Sequence, residues 1–153
     1  MLIVAGVHGN EVAGLLAVPR ILDLLAEQRP AHADWAVTIL TPANPVGVAH
    51  GSRYNAEGCD INRDFQDSQT PEARVLQDLI VAERPDLIVS LHEGAQEGFM
   101  LVVTSMGSEA SGRAVVEAVR EGESKGRLPA AVVPTDLYGH CADLDALQAI
   151  CKP

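Results

Sequence analysis

The chain of 153 residues contains no apolar run near the roughly 20 residues that a bilayer-spanning helix requires. Its N-terminal apolar run also lacks the basic flank and the length of a secretory leader. The expectation is a cytoplasmic protein that does not use the membrane as a partner. Cysteine is sparse: Cys59, Cys141 and Cys151 form an odd, widely spaced set without Cys-x-x-Cys, which argues against a disulfide frame and a zinc knuckle. Positive charge is short as well, with 11 Lys and Arg against 21 Asp and Glu and a formal net charge of -10. Such a balance repels phosphate backbones and anionic headgroups, so no nucleic acid partner is expected. Gly-x-Gly-x-x-Gly is missing after the first strand and no phosphate loop occurs, which disfavours a nucleotide-binding α/β domain.

What is present is the composition of a globular protein, 47% hydrophobic and 21% charged, without repeats or low-complexity tracts. A chain of this length buries about two-thirds of its extended surface and is read as one domain over residues 1–153. Leu2, Ile3 and Val4 read as a buried strand. Val12, Leu15, Leu16, Leu22 and Leu25 recur at helical spacing, predicting a helix from an Asn10 cap to about Gln28 that Pro19 kinks or divides. Residues 35–40 form a second strand stopped by Thr41-Pro42. Residues 42–69 are rich in Gly, Asn, Asp and Pro and read as a long loop; its length and its Arg53, Asn62 and Arg63 suit the binding of a carboxylate. Thr70-Pro71-Glu72 starts a helix that ends at Arg84-Pro85. Residues 86–91 are then a nearly all-apolar strand, expected to be central. A fourth strand at 99–104, a helix after Ser108, a short strand at 130–133 and a last helical segment at 143–150 complete the reading. The fold class expected is α/β: three layers, α/β/α, with a mixed and mainly parallel twisted sheet.

Two strands of that sheet end near histidine. His8 and Glu11 sit three residues apart in the loop after the first strand, where α/β sheets usually hold ligands. Two readings stand for this loop, a helix cap and a pair of metal ligands. His92, at the end of the third strand, adds a second imidazole. Two imidazoles and one carboxylate leave a fourth zinc position open for water, the ligand set of catalytic sites.

His8-Gly9-Asn10-Glu11, Asn44-Pro45-Val46-Gly47, Arg53, the run Gly58-Cys59-Asp60-Ile61-Asn62-Arg63-Asp64-Phe65 and the strand end Ser90-Leu91-His92 resemble, in this order, the zinc carboxypeptidase family. Within it they are most similar to the branch of succinylglutamate desuccinylase, aspartoacylase and murein-peptide amidases. The resemblance implies a zinc carboxypeptidase-like fold and one Zn2+ held by His8, Glu11 and His92. It also implies that Arg53 steadies a polarised carbonyl and that Asn62 and Arg63 grip a substrate carboxylate. The substrate would be a small molecule or peptide bearing a carboxylate, cleaved at the adjacent amide as by a carboxypeptidase or an N-acyl amino acid deacylase.

The sequence departs from the family in two ways. The family's general base, a glutamate on a later strand, has no clear counterpart: Glu93 and Glu97 are weak candidates. The chain is also expected to be truncated relative to the family. These departures keep open a non-catalytic zinc- or carboxylate-binding module. His140 and Asp143 repeat a ligand-like spacing but read as the start of the last helix, and Tyr138 as ordinary loop.

Overall fold

The structure, a computed structural model, describes residues 1–27, 34–94 and the helical positions 113, 116–117 and 120–121. The strands expected at 99–104 and 130–133, the helical segment at 143–150, and Glu97, Tyr138, His140 and Asp143 lie outside the described residues.

Strand β1 (Leu2–Ala5) is buried at all four positions, which explains an apolar run without alternation. It pairs in parallel with β2 (Thr38–Leu40) on one side and β3 (Ile88–Leu91) on the other, in the order β2-β1-β3. Among the described residues β1 therefore has a neighbour on each side and β3 on one. Helix α1 (Val12–Glu27) runs unbroken through Pro19. On one face of the sheet, Ile3, Ala5 and Leu91 pack with Val18, and Leu15 and Ile21 close the edge. On the other, Leu2, Val4 and Val7 pack with Ile61, Phe65, Ala73 and Leu76. Successive β1 residues thus serve opposite layers, giving a helix–sheet–helix sandwich.

The buried face of α1 carries Gly14 and Val18, while Val12 and Leu16 are exposed. The apolar spacing thus showed a helix but not which of its residues turn inward. The expected loop at 42–69 holds two short helices, α2 (Pro45–His50) and α3 (Ile61–Asp64). Neither is long enough to show periodicity; both are set by capping. Asn44 Oδ1 accepts from Gly47 N and Asp60 Oδ1 from Asn62 N. Helix α4 (Pro71–Glu83) starts as the sequence predicts, with Thr70 Oγ1 accepting from Ala73 N, and ends at Arg84 in the left-handed conformation.

Candidate metal centre

Three parallel strands direct their C-terminal ends to one edge, and the loops leaving that edge carry every candidate residue. The loop from β1 is held from below. Asn44, fully buried, donates Nδ2–H to the Val7 carbonyl, and Gly9 N donates to the Ser52 carbonyl at 2.8 Å. Gly9 lies so close to α2 that an added Cβ would overlap the Gly47 backbone, so only glycine lets the loop seat.

Seated in this way, His8, Glu11 and His92 are all buried, with ligand atoms within 4.8 Å of one another. Glu11 lies between the rings: Oε1 is 2.6 Å from His8 Nδ1 and Oε2 is 2.8 Å from His92 Nδ1. The far ring nitrogens have their own partners, His8 Nε2 at 3.1 Å from Asp60 Oδ1 and His92 Nε2 at 3.0 Å from Ser90 Oγ. This donor chemistry fits a cation. A neutral imidazole with Nε2–H given to Asp60 or Ser90 turns its Nδ1 lone pair toward a carboxylate, and a metal ion is the partner that satisfies both. Burial disfavours the charged form of Glu11. When the rings instead carry a proton on Nδ1, hydrogen bonds from His8 and His92, the Glu93 N–H and the His92 charge outweigh that, holding its carboxyl far below the usual carboxylate range.

Arg53 stands beside this cluster. Its Nε donates to Asp60 Oδ2 at 2.9 Å, and its Nη1 lies 3.6 Å from Glu11 Oε1 and 3.4 Å from His8 Nδ1. Asp60 therefore binds His8, Arg53 and the first amides of α3 at once. Burial works to raise its carboxyl, but His8 and Arg53 more than offset this and lower it. Asn62 is 8% exposed and its Oδ1 is buried without a hydrogen-bond partner among the described residues. Arg63 is exposed and, with Cys59, Asp60, Asp64 and Thr70, lines an open cavity of about 320 Å³. It joins none of the ion pairs found among the described residues, and Asp64 is engaged instead by Thr70 and Gln69.

The description "Succinylglutamate desuccinylase/Aspartoacylase catalytic domain" matches residues 1–113. The chain belongs to this family. Solved structures agree with the fold of this chain. A metallo-carboxypeptidase from Burkholderia cenocepacia superposes with a TM-score of 0.63 at 20% identity, over 89% of this chain and 41% of that one. A metallo-carboxypeptidase from Pseudomonas aeruginosa, in complex with (2-guanidinoethylmercapto)succinic acid, gives 0.67 at 18% identity, over 93% and 42%. Murein-tripeptide amidase from Escherichia coli O157 gives 0.56 at 23% identity, over 94% and 68%. The chain thus spans about two-fifths of the length of the two carboxypeptidases. A search of curated proteins returned no match.

The sequence assigns no supporting role to two members of the site, Asp60 and Ser90. A signal for Ser90 existed: strand side chains repeat every second residue, so Ser90 lies on the same face as His92. Asp60 had a weaker one, since a ligating histidine needs an acceptor for its other nitrogen but sequence does not say which. Asn10, expected to cap α1, is exposed and accepts no hydrogen bond among the described residues; the oxygen that accepts from Ala13 N belongs to Glu93.

Proposed function

We propose that this chain, a single domain over residues 1–153, hydrolyses an amide bond adjacent to a carboxylate with one Zn2+ held by His8, Glu11 and His92. The observation that carries this reading is the convergence of three buried ligand atoms within 4.8 Å, with each ring's far nitrogen already bound by a neighbour. Zinc, when bound, supplies a Lewis acid and an activated water.

The remaining roles fall to the chain's own groups. Arg53, held by Asp60, presents its guanidinium where negative charge develops on the substrate carbonyl, a contribution of roughly 3 kcal/mol for one such donor. Asn62, unpartnered at Oδ1, accepts an N–H of the substrate and offers its NH2 group to the substrate carboxylate. Arg63 offers a planar fork that a carboxylate matches with two hydrogen bonds. The family match supports the reaction class, as do the carboxypeptidase and amidase names of the fold neighbours. The succinic acid derivative bound to the Pseudomonas aeruginosa enzyme supports a carboxylate-bearing ligand.

One observation favours a second reading, a non-catalytic zinc- or carboxylate-binding module. Glu93, a candidate base, spends its carboxylate on the Ala13 amide, and Glu97 lies outside the described residues. Turnover separates the two. We expect protein purified without chelator to carry about one zinc and to cleave members of a panel of N-acyl amino acids and short peptides, with Arg53→Ala abolishing cleavage. Zinc well below one equivalent, together with a melting temperature that added zinc moves equally in wild type and His8→Ala, overturns the metal reading. Bound zinc without turnover of any panel member establishes the module.

A further inference from the structure

The start of α1 and the end of β3 meet directly behind the metal cluster. Gly14, in the first turn of α1, sits on Leu91: a Cβ there would lie 2.9 Å from Leu91 Cβ and 3.1 Å from its carbonyl oxygen. Two hydrogen bonds cross this seam in opposite directions. Glu93 Oε2 accepts from Ala13 N at 3.1 Å, and Glu93 N donates to Glu11 Oε2, also at 3.1 Å. The first turn of α1 contains no acidic residue of its own, so the amide that a local side chain would ordinarily cap is bound from 80 residues away.

We infer that Glu93 is a positioning residue which clasps the start of α1 to the end of β3 and thereby sets the spacing of Glu11 and His92. Besides the 2.8 Å contact between His92 and Glu11 themselves, the side-chain bonds that join their two segments among the described residues are these two made by Glu93. The Glu93 side chain holds α1 at Ala13, two residues beyond Glu11, while its backbone N–H holds Glu11 itself. Because Glu93 is adjacent to His92, any movement of α1 away from β3 must stretch both bonds. The clasp also accounts for the glycine at position 14, since a side chain there would hold the two elements apart. Loss of the carboxylate leaves the ligands present but their spacing unset.

The inference rests on the zinc reading above, and the experiment separates the two. Zinc affinity is measured by competition with a chromophoric chelator on wild type, Glu93→Ala and Glu93→Gln, with the melting temperature of each metal-free protein recorded alongside. The amide oxygen of Glu93→Gln still accepts from Ala13 N. The expected result is a loss of about 10- to 100-fold in affinity for Glu93→Ala, the range typical of groups that orient metal ligands, with most of it restored in Glu93→Gln. Unchanged affinity in Glu93→Ala overturns the inference, even if the metal-free protein melts lower, because that is the signature of a helix cap alone. Should Glu93→Ala fail to fold, Glu93→Asp, too short by one methylene to reach α1, carries the same comparison. Failure of the wild type to bind zinc defeats the metal reading first and the clasp with it.

Discussion

Asp60→Asn tests the site most sharply, because one carboxylate serves two groups that an amide cannot serve together. Asp60 Oδ1 accepts from His8 Nε2 and Asn62 N, and Oδ2 accepts from Arg53 Nε. Asparagine keeps one oxygen and gains two N–H donors. With its oxygen toward His8, the new NH2 group faces the Arg53 N–H, donor against donor, and Arg53 is released. A hydrogen bond to a charged group contributes about 1.5–3 kcal/mol when buried. Arg53 is 38% exposed, so about 1 kcal/mol is the better figure. With the amide reversed, Arg53 keeps its acceptor, but His8 must then accept at Nε2, which moves its proton to Nδ1 and withdraws that nitrogen from a metal. Asparagine caps helices as well as aspartate does, so α3 keeps its cap while the oxygen faces His8; in the reversed arrangement the NH2 group meets the Asn62 N–H and the cap is lost as well. The expected result is therefore a zinc affinity about 10-fold weaker or more. At saturating zinc, kcat/KM should be about 5-fold lower, the equivalent of 1 kcal/mol. Chelator competition reads the first and initial-rate kinetics the second. Both values within twofold of wild type, in a protein of unchanged melting temperature, would refute the shared role.

Two further outcomes follow from the same geometry. Gly9→Ala forces a methyl group into the Gly47 backbone, where no side chain can yield, so it should lower stability by about 3 kcal/mol or more and lose zinc binding; urea unfolding and chelator competition measure these. Asp64 offers a pH test. Burial works to raise its carboxyl, but the Thr70 N–H and hydroxyl, the Gln69 N–H and the Arg74 charge outweigh that and lower it. A carboxyl depressed on folding gives stability that is complete above the unfolded value of about 3.9 and is lost as pH falls through the folded value. Urea midpoints of wild type should therefore drop below about pH 4 more steeply than those of Asp64→Asn, and parallel curves would count against this role.

The strands and long helices were legible because their signals are local. Four consecutive apolar residues at the N-terminus announced a strand buried on both faces, and Thr70-Pro71 announced α4. The two short helices were not legible: six and four residues cannot display a 3.6-residue period, and their caps, Asn44 and Asp60, read equally well as turn residues. The order of the strands is not a local signal: β1 and β3 are similarly apolar, and their neighbours depend on pairing across the chain. The three residues that could hold a metal ion could be named because His8 and His92 follow strand ends closely and Glu11 stands one helical turn from His8. Their supporting partners, Asp60 and Glu93, act across 52 and 80 residues, a distance over which sequence carries no register. The misplaced α1 cap belongs to the same class: Asn10 had the right chemistry and the right position, but a distant acid fills the role.

The contact of Gly9 with Gly47 reaches beyond folding. A Cβ at Gly9 would overlap the Gly47 backbone and one at Gly47 would overlap the Asn44 side chain, so the loop after β1 and α2 form an indivisible module. Anyone transplanting the histidine and glutamate of that loop into another scaffold would have to carry α2, with Asn44 at its head, along with them.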